Sequence, residues 1–365
     1  MTVLGLTELG WSDRRAAEFA PFAALGLVPG RVSLEHNHVY RVITGEGERL
    51  GEAAGRMKHE AGGRHELPVV GDWTAIRLDP SGGRSQIRGL LPRRSWVSRK
   101  VAGRETVEQV VAANIDTAFV VFGLDKPVNA RSIERYLVVA RGNGVTPVVV
   151  LNKSDLAKDP AAAIAEAMAV AGDVSVLCVS SQTGVGLDGL DRYLETGRTV
   201  ALFGPSGVGK SSIVNRLVKR EVLATGEVRD WDQRGRHTSV HRQLVVREAG
   251  GLIIDTPGMR ELQLWDTDPT NDTFADVVAL GEACRFRNCS HDREPGCAVK
   301  AAIAAGTLDA DRHVSFLKLQ AEQRELNRKR DERAQAPSAR STRVAHRAYR
   351  SLKTNRGGKT NGDDT

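Results

Sequence analysis

The sequence predicts three folded units in series: a small β-barrel, a central α/β unit with a mostly parallel sheet, and a helical C-terminal unit around a cluster of cysteines. Three patterns carry that prediction. Short alternating strands separated by glycine turns run from Arg31 to about Leu91, which suits a small barrel. From near residue 105 apolar runs alternate with helix-periodic segments, as in parallel α/β sheets. After about residue 270 the chain turns to helix and loop, and three of its four cysteines fall between Cys284 and Cys297.

In chain order, residues 1–30 read as an arm, with a helix around Trp11–Phe22 and a break at Gly26–Gly30. Residues 31–98 hold the barrel, with strands such as Arg31–Glu35, His38–Ile43 and Trp73–Leu78. Their number and size suit a five-stranded OB-type, RNA-binding barrel. Residues 99–270 hold the α/β unit. Its strands are Thr117–Gly123, Pro147–Leu151, Val174–Val179, Thr199–Phe203, Gln243–Arg247 and Leu252–Ile254. Helices are expected at Ser132–Gly142, Pro160–Ala171 and Leu187–Thr196, and the last two strands read as an antiparallel edge hairpin. Residues 271–335 form the C-terminal unit and 336–365 a basic tail.

Composition excludes several classes. The 365 residues are 41% hydrophobic and 27% charged, ordinary for a globular chain and unlike collagen or a disordered polymer. No apolar run nears the ~18–20 residues that span a bilayer. The first 30 residues lack a basic segment followed by an apolar one, so a cytoplasmic protein with no membrane contact is expected. Four cysteines are too few for a disulfide framework and point to metal instead.

The formal net charge of +7 suggests a polyanionic partner. Residues 81–104 contain Arg84, Arg88, Arg93, Arg94, Arg99, Lys100 and Arg104 without an acid, and the tail is basic too. Each stretch carries an aromatic ring, Trp96 and Tyr349. Basic side chains displace counterions from phosphates, and rings stack on bases.

The motifs are sharper than the composition. Gly204-Pro205-Ser206-Gly207-Val208-Gly209-Lys210-Ser211-Ser212 follows an apolar strand and opens a helix. Glycines let backbone N–H groups curl round an oxyanion at a helix N-terminus. Lys210 is placed for the β and γ phosphates, and the Ser211 hydroxyl for Mg²⁺. Asp255-Thr256-Pro257-Gly258 follows the last strand. Asp255 there would hold Mg²⁺ through water, and the Gly258 N–H would meet the γ-phosphate. Asn152-Lys153-Ser154-Asp155 follows another strand. A carboxylate at Asp155 accepts from guanine N1–H and N2–H₂, a donor pair adenine lacks. Lys153 would lie along the base and Asn152 brace the loop. Ser180-Ser181-Gln182-Thr183-Gly184 would cover guanine O6 with a backbone N–H. GTP is therefore expected over ATP.

The order of these motifs is unusual. In a Ras-like GTPase the phosphate loop comes first, whereas here it follows the guanine motifs. All six strands are present, so the domain is circularly permuted, and DTPG runs straight into the C-terminal unit.

Cys284, Cys289, His291 and Cys297 offer three thiolates and an imidazole. Four such ligands match tetrahedral Zn²⁺ in a closed, structural site. Arg285, Arg287 and Arg293 beside them would suit a phosphate contact.

A permuted GTPase with a barrel before it and this Cys/His cluster after it resembles the ribosome small subunit-dependent GTPase A family (RsgA/YjeQ). Gln109–Asp116 also resembles that family's entry to the GTPase domain. The resemblance implies binding to the small (30S) subunit and its 16S rRNA. It also implies a role in late maturation and GTP hydrolysis stimulated by the subunit; a monomer is expected. It further implies a His-Thr-Thr-like switch I whose His is implicated in catalysis. Here the segment is Gly235-Arg236-His237-Thr238-Ser239, so the Mg²⁺ hydroxyl lies with Thr238 or Ser239. The residue after Gly258 is Met259, whose thioether cannot orient water, which leaves His237 as the candidate. Two rival readings are a permuted GTPase of the large subunit and an RNA-binding scaffold with negligible turnover. The front barrel and the Cys/His cluster argue against the first, and Met259 leaves the second open.

Overall fold

The computed structural model describes residues 5–100, 108–219, 242–255, 272–291 and 294–335. His237, Thr238, Ser239, Gly258, Met259, Arg293 and Tyr349 lie outside the described residues.

The arm folds as helix α1 (Asp13–Ala23). Ser12 caps it by accepting from the Arg15 N–H, and Trp11 packs edge-on against Trp73 of the barrel at 4.8 Å. The barrel strands are β1 (Val28–His36), β2 (Val39–Thr44), β3 (Gly47–Ala53), β4 (Trp73–Arg77) and β5 (Ser85–Leu90), with the short helix α2 (Gly55–Glu60) after β3. They pair in the order β1-β2-β3-β5-β4, and β4 closes back onto β1. Val32, Tyr40, Val42, Ala53, Ile76 and Ile87 fill the interior. The closed five-stranded, OB-like barrel expected from the glycine-punctuated pattern is present.

A two-stranded hairpin, β6 (Trp96–Lys100) with β7 (Glu108–Ala113), leads into the central unit. Trp96 of β6 is half-buried and packs against Val69, Val110 and Ala113. Arg93 is likewise drawn inward, onto the fully buried carboxylate of Asp72 at 2.7 Å.

The central sheet holds β8 (Thr117–Gly123), β9 (Thr146–Asn152), β10 (Val176–Cys178), β11 (Thr199–Phe203), β12 (Gln243–Val246) and β13 (Leu252–Asp255). Their order is β10-β9-β8-β11-β13-β12, parallel except for β12. Along β8, Ala118, Val120 and Phe122 face α3 (Ala130–Gly142) and α4 (Pro160–Ala171). Phe119 and Val121 face α5 (Lys210–Val218) on the other side. One strand thus feeds both layers, which is why it reads as a continuous apolar run.

Three elements differ from expectation. β1 begins at Val28, inside the break expected at Gly26–Gly30, because Val28–Gly30 pair with β4. Leu187–Tyr193 is a 3₁₀-helix rather than an α-helix. Its apolar residues Leu187, Leu190 and Tyr193 recur every three positions, the repeat of the tighter helix, and Gly189 weakens the α alternative. The β12–β13 hairpin is not a free edge, because Gln243 of β12 pairs with Leu34 of β1. β1 pairs with β4 only over Val28–Arg31; beyond the register shift between Val32 and Leu34 it stays on β2, and its other side there meets β12.

The C-terminal unit comprises α6 (Ala275–Glu282), α7 (Ala298–Ala304) and α8 (Ala310–Gln335), cored by Phe274, Val277, Val299, Phe316 and Leu319. Arg312 of α8 bonds the fully buried Glu134 of α3 at 2.6 Å and Asp276 of α6 at 2.7 Å. Arg131 reaches the same Glu134 oxygen at 2.9 Å. No helix among the described residues is long and apolar enough to cross a membrane.

Candidate nucleotide site and metal centre

Every described motif residue of the nucleotide site lies at the carboxyl end of the parallel strands, as the last residue of a strand or in the segment after it. In open α/β sheets that end is where ligands sit. Val208 precedes α5 within the phosphate loop, and Asn152 ends β9. The Asn152 amide, fully buried, donates to the Val208 carbonyl at 2.8 Å and to Ser181 Oγ at 3.1 Å. Its carbonyl oxygen accepts from the Ser181 N–H at 2.9 Å. A single side chain therefore joins the phosphate loop, the NKSD loop and the SSQTG loop.

The loop glycines are required by geometry. Gly204 has φ +136°, and a Cβ there would lie 2.1 Å from the Val121 carbonyl oxygen. Gly209 has φ +93°, and its Cβ would meet the Asn152 amide nitrogen at 2.3 Å. A side chain at either position would displace the neighbouring strand or the brace.

Lys210 curls back over its own loop and donates to the carbonyls of Gly204 at 2.8 Å and Pro205 at 2.6 Å. Burial lowers its pKa, partly opposed by the charge of Asp255. The ammonium is thus held over the loop where phosphate oxygens would replace those carbonyls. Asp255, buried at the end of β13 beside β11, and Ser211 in the first turn of α5 supply oxygens suited to Mg²⁺.

On the base side, Asp155 accepts from Ser180 Oγ at 2.5 Å, and the same hydroxyl accepts from the Thr183 N–H at 3.0 Å. That fixes the carboxylate against the SSQTG loop. The Ser154 N–H bonds the Val179 carbonyl at 3.1 Å.

Two contributors were not read from the sequence. Arg216 on α5 donates to the carbonyls of Ser181 at 3.0 Å and Gln182 at 2.5 Å, which ties the base loop to the phosphate-loop helix. Asp125, just after β8, pairs with Lys153 Nζ at 2.9 Å. The hydrogen bond from Lys153 is the main reason its carboxyl titrates low. Lys153 itself sits at φ +64°.

In the C-terminal unit the ligand atoms of Cys284, Cys289, His291 and Cys297 all lie within 4.8 Å of one another. His291 Nδ1 is 3.5 Å from both Cys284 Sγ and Cys297 Sγ, and those sulfurs are 3.9 Å apart. Metal–sulfur bonds of ~2.3 Å and a metal–nitrogen bond of ~2.0 Å at tetrahedral angles require S···S near ~3.8 Å and S···N near ~3.5 Å. The donor set fits one structural metal ion, with no fifth side chain needed.

Residues 90–265 match a family model described as RsgA GTPase. The chain is 46% identical over 328 residues to the small ribosomal subunit biogenesis GTPase RsgA of Opitutus terrae, covering 87% of this chain and 89% of that one. The crystal structure of YjeQ from Thermotoga maritima superposes with a TM-score of 0.60 at 26% identity, over 82% of this chain and 98% of that one. YloQ, described as a circularly permuted GTPase, gives 0.56 at 22% identity over 82% and 96%.

Proposed function

The chain belongs to the RsgA GTPase family, and we propose that it hydrolyses GTP through the site above under stimulation by the small (30S) ribosomal subunit. It is a GTP hydrolase acting in small-subunit biogenesis. The observation that carries the assignment of residues is the Asn152 brace, which holds the phosphate and guanine motifs as one site despite their permuted order.

In this reading Asp155 selects guanine, Ser154, Ser180 and Ser181 shape the base loop, and Lys153 lies along the ring. Backbone N–H groups from Gly204, Pro205, Ser206, Gly207, Val208 and Gly209 and the start of α5, with Ser212, cradle the phosphates. Lys210 moves from its own carbonyls to the β and γ oxygens. Mg²⁺, held by Ser211 and either Thr238 or Ser239, with Asp255 acting through water, would offset the charge that builds on the leaving phosphate. The Gly258 N–H meets the γ-phosphate, and His237 orients the attacking water where Met259 cannot.

The metal at the Cys/His centre is Zn²⁺, a structural ion suggested by its soft, closed donor set. The barrel (31–98), the metal unit (271–335) and the basic tail (336–365) would flank the GTPase unit (99–270) as contacts to 16S rRNA, with 1–30 as the arm. The protein acts as a cytoplasmic monomer. Binding of a fluorescent GDP analogue in competition with GTP and ATP tests the site. GTP is expected to displace it and ATP not, and equal displacement would contradict the base assignment.

A further inference from the structure

A cavity of about 420 Å³ opens at the end of the central sheet opposite the phosphate loop, where Thr117, Thr146 and Thr199 begin β8, β9 and β11. β11 spans five residues, so at ~3.3 Å per residue the cavity lies on the order of 15 Å from the nucleotide site. The arm, the barrel and the central unit all contribute to its wall.

The wall is strongly cationic. Arg15, Arg31, Arg94, Arg192 and Arg198 line it, against the carboxylates of Asp116 and Glu195. Two of these arginines have acidic partners: Arg15 pairs with Glu18 at 2.7 Å and Arg198 with Asp116 at 3.3 Å. Arg31 differs. It is 2% exposed, yet its hydrogen bonds all end on neutral oxygens. These are the carbonyls of Leu9, Gly71 and Asn114 and the hydroxyl of Thr199. Four of its five N–H donors are thereby used among the described residues. The remaining one, on Nη1, lies beside Gly10, which lines the cavity.

A buried charge without an opposite charge in contact is costly. Burial pushes the Arg31 guanidinium down to about 10, with Asp116 and Asp72 offsetting only part of that. Burial and the charge of Arg94 lower Arg15 in the same way. At the mouth, the exposed Arg192 stacks over the ring of Tyr193 at 4.8 Å.

We propose that this cavity is a second anion site that takes a compact phosphate-bearing group, with Arg31 as its buried counter-charge and Arg94, Arg192 and Arg198 around its mouth. Guanidinium forks match phosphate oxygens and keep their charge at any working pH. Walls from three units mean that the ligand would hold the arm and barrel against the base of the central sheet. The phosphate comes either from a free polyphosphate compound or from an RNA strand.

The test uses the full chain saturated with GDP and Mg²⁺, so that the phosphate loop is filled. Inorganic pyrophosphate is titrated by calorimetry in one arm, and a labelled short oligouridylate by anisotropy in the other. Arg192→Ala/Arg198→Ala removes two exposed mouth charges, and Lys158→Ala, exposed on the central unit and away from the cavity lining, is the control. The double variant should lose about tenfold or more in affinity for one probe, the control none, with GDP affinity equal in all three proteins. Loss for pyrophosphate assigns a free polyphosphate, and loss confined to the oligouridylate assigns an RNA strand. Equal affinity for both probes in all three proteins overturns the proposal.

Discussion

In Asp155→Asn an amide N–H replaces one of the carboxylate oxygens that would accept from guanine N1–H and N2–H₂. Each charge-assisted bond contributes ~1.5–3 kcal/mol, so GTP affinity should fall by about a hundredfold or more. Xanthosine triphosphate, which offers a carbonyl where guanine has an amino group, should recover part of it. Unchanged GTP affinity would remove Asp155 from base selection. Arg216→Ala should weaken GDP binding by roughly three- to tenfold by freeing the Ser181 and Gln182 carbonyls; an unchanged dissociation rate would contradict this. Lys210 gives a pH signature. Its folded pKa is lowered by burial, so just below the usual lysine value of ~10.4 the free protein binds fewer protons than the unfolded chain. The nucleotide-free protein therefore gains stability from this group as pH rises through that window. Phosphates return the proton, so GDP binding should take up protons there, measured by calorimetry in buffers of different ionisation enthalpy. Binding with no proton uptake would contradict the picture. The motif glycines and Asp155 were legible because phosphate and guanine demand those residue types. Arg216 and Asp125 were not, since the carbonyls and the lysine they meet are brought to them only by the fold.

The elements follow the same division. Strands such as β8 and β11 were readable to the residue because a strand buried on both faces is apolar throughout. The 3₁₀-helix at Leu187–Tyr193 was misread as α because a three-residue repeat resembles a 3.6-residue one over so short a span. The pairing of β12 with β1 joins segments far apart in sequence and leaves no local pattern. The metal loop stands between α6 and α7 and has little apolar core of its own, with only Cys297 of its ligands buried. Removing the ion with a strong chelator should open residues 283–297 to proteolysis while GDP binding persists. Unaltered digestion after verified metal loss would show that the cluster does not hold this element.

Across the whole molecule, α8 and α6 are anchored to α3 through the buried carboxylate of Glu134 and its partners Arg131 and Arg312. Arg312→Ala leaves that carboxylate with one partner and should cost about 3 kcal/mol in denaturant unfolding, as breaking buried pairs does. A change within ~0.5 kcal/mol would mark the contact as incidental. The most direct test is GTP turnover by the purified protein alone, with isolated 30S subunits and with isolated 50S subunits. Slow turnover alone, stimulated about tenfold or more by 30S only and lost in His237→Ala with nucleotide affinity intact, is the expected result. Stimulation by 50S, or by neither subunit, would contradict it.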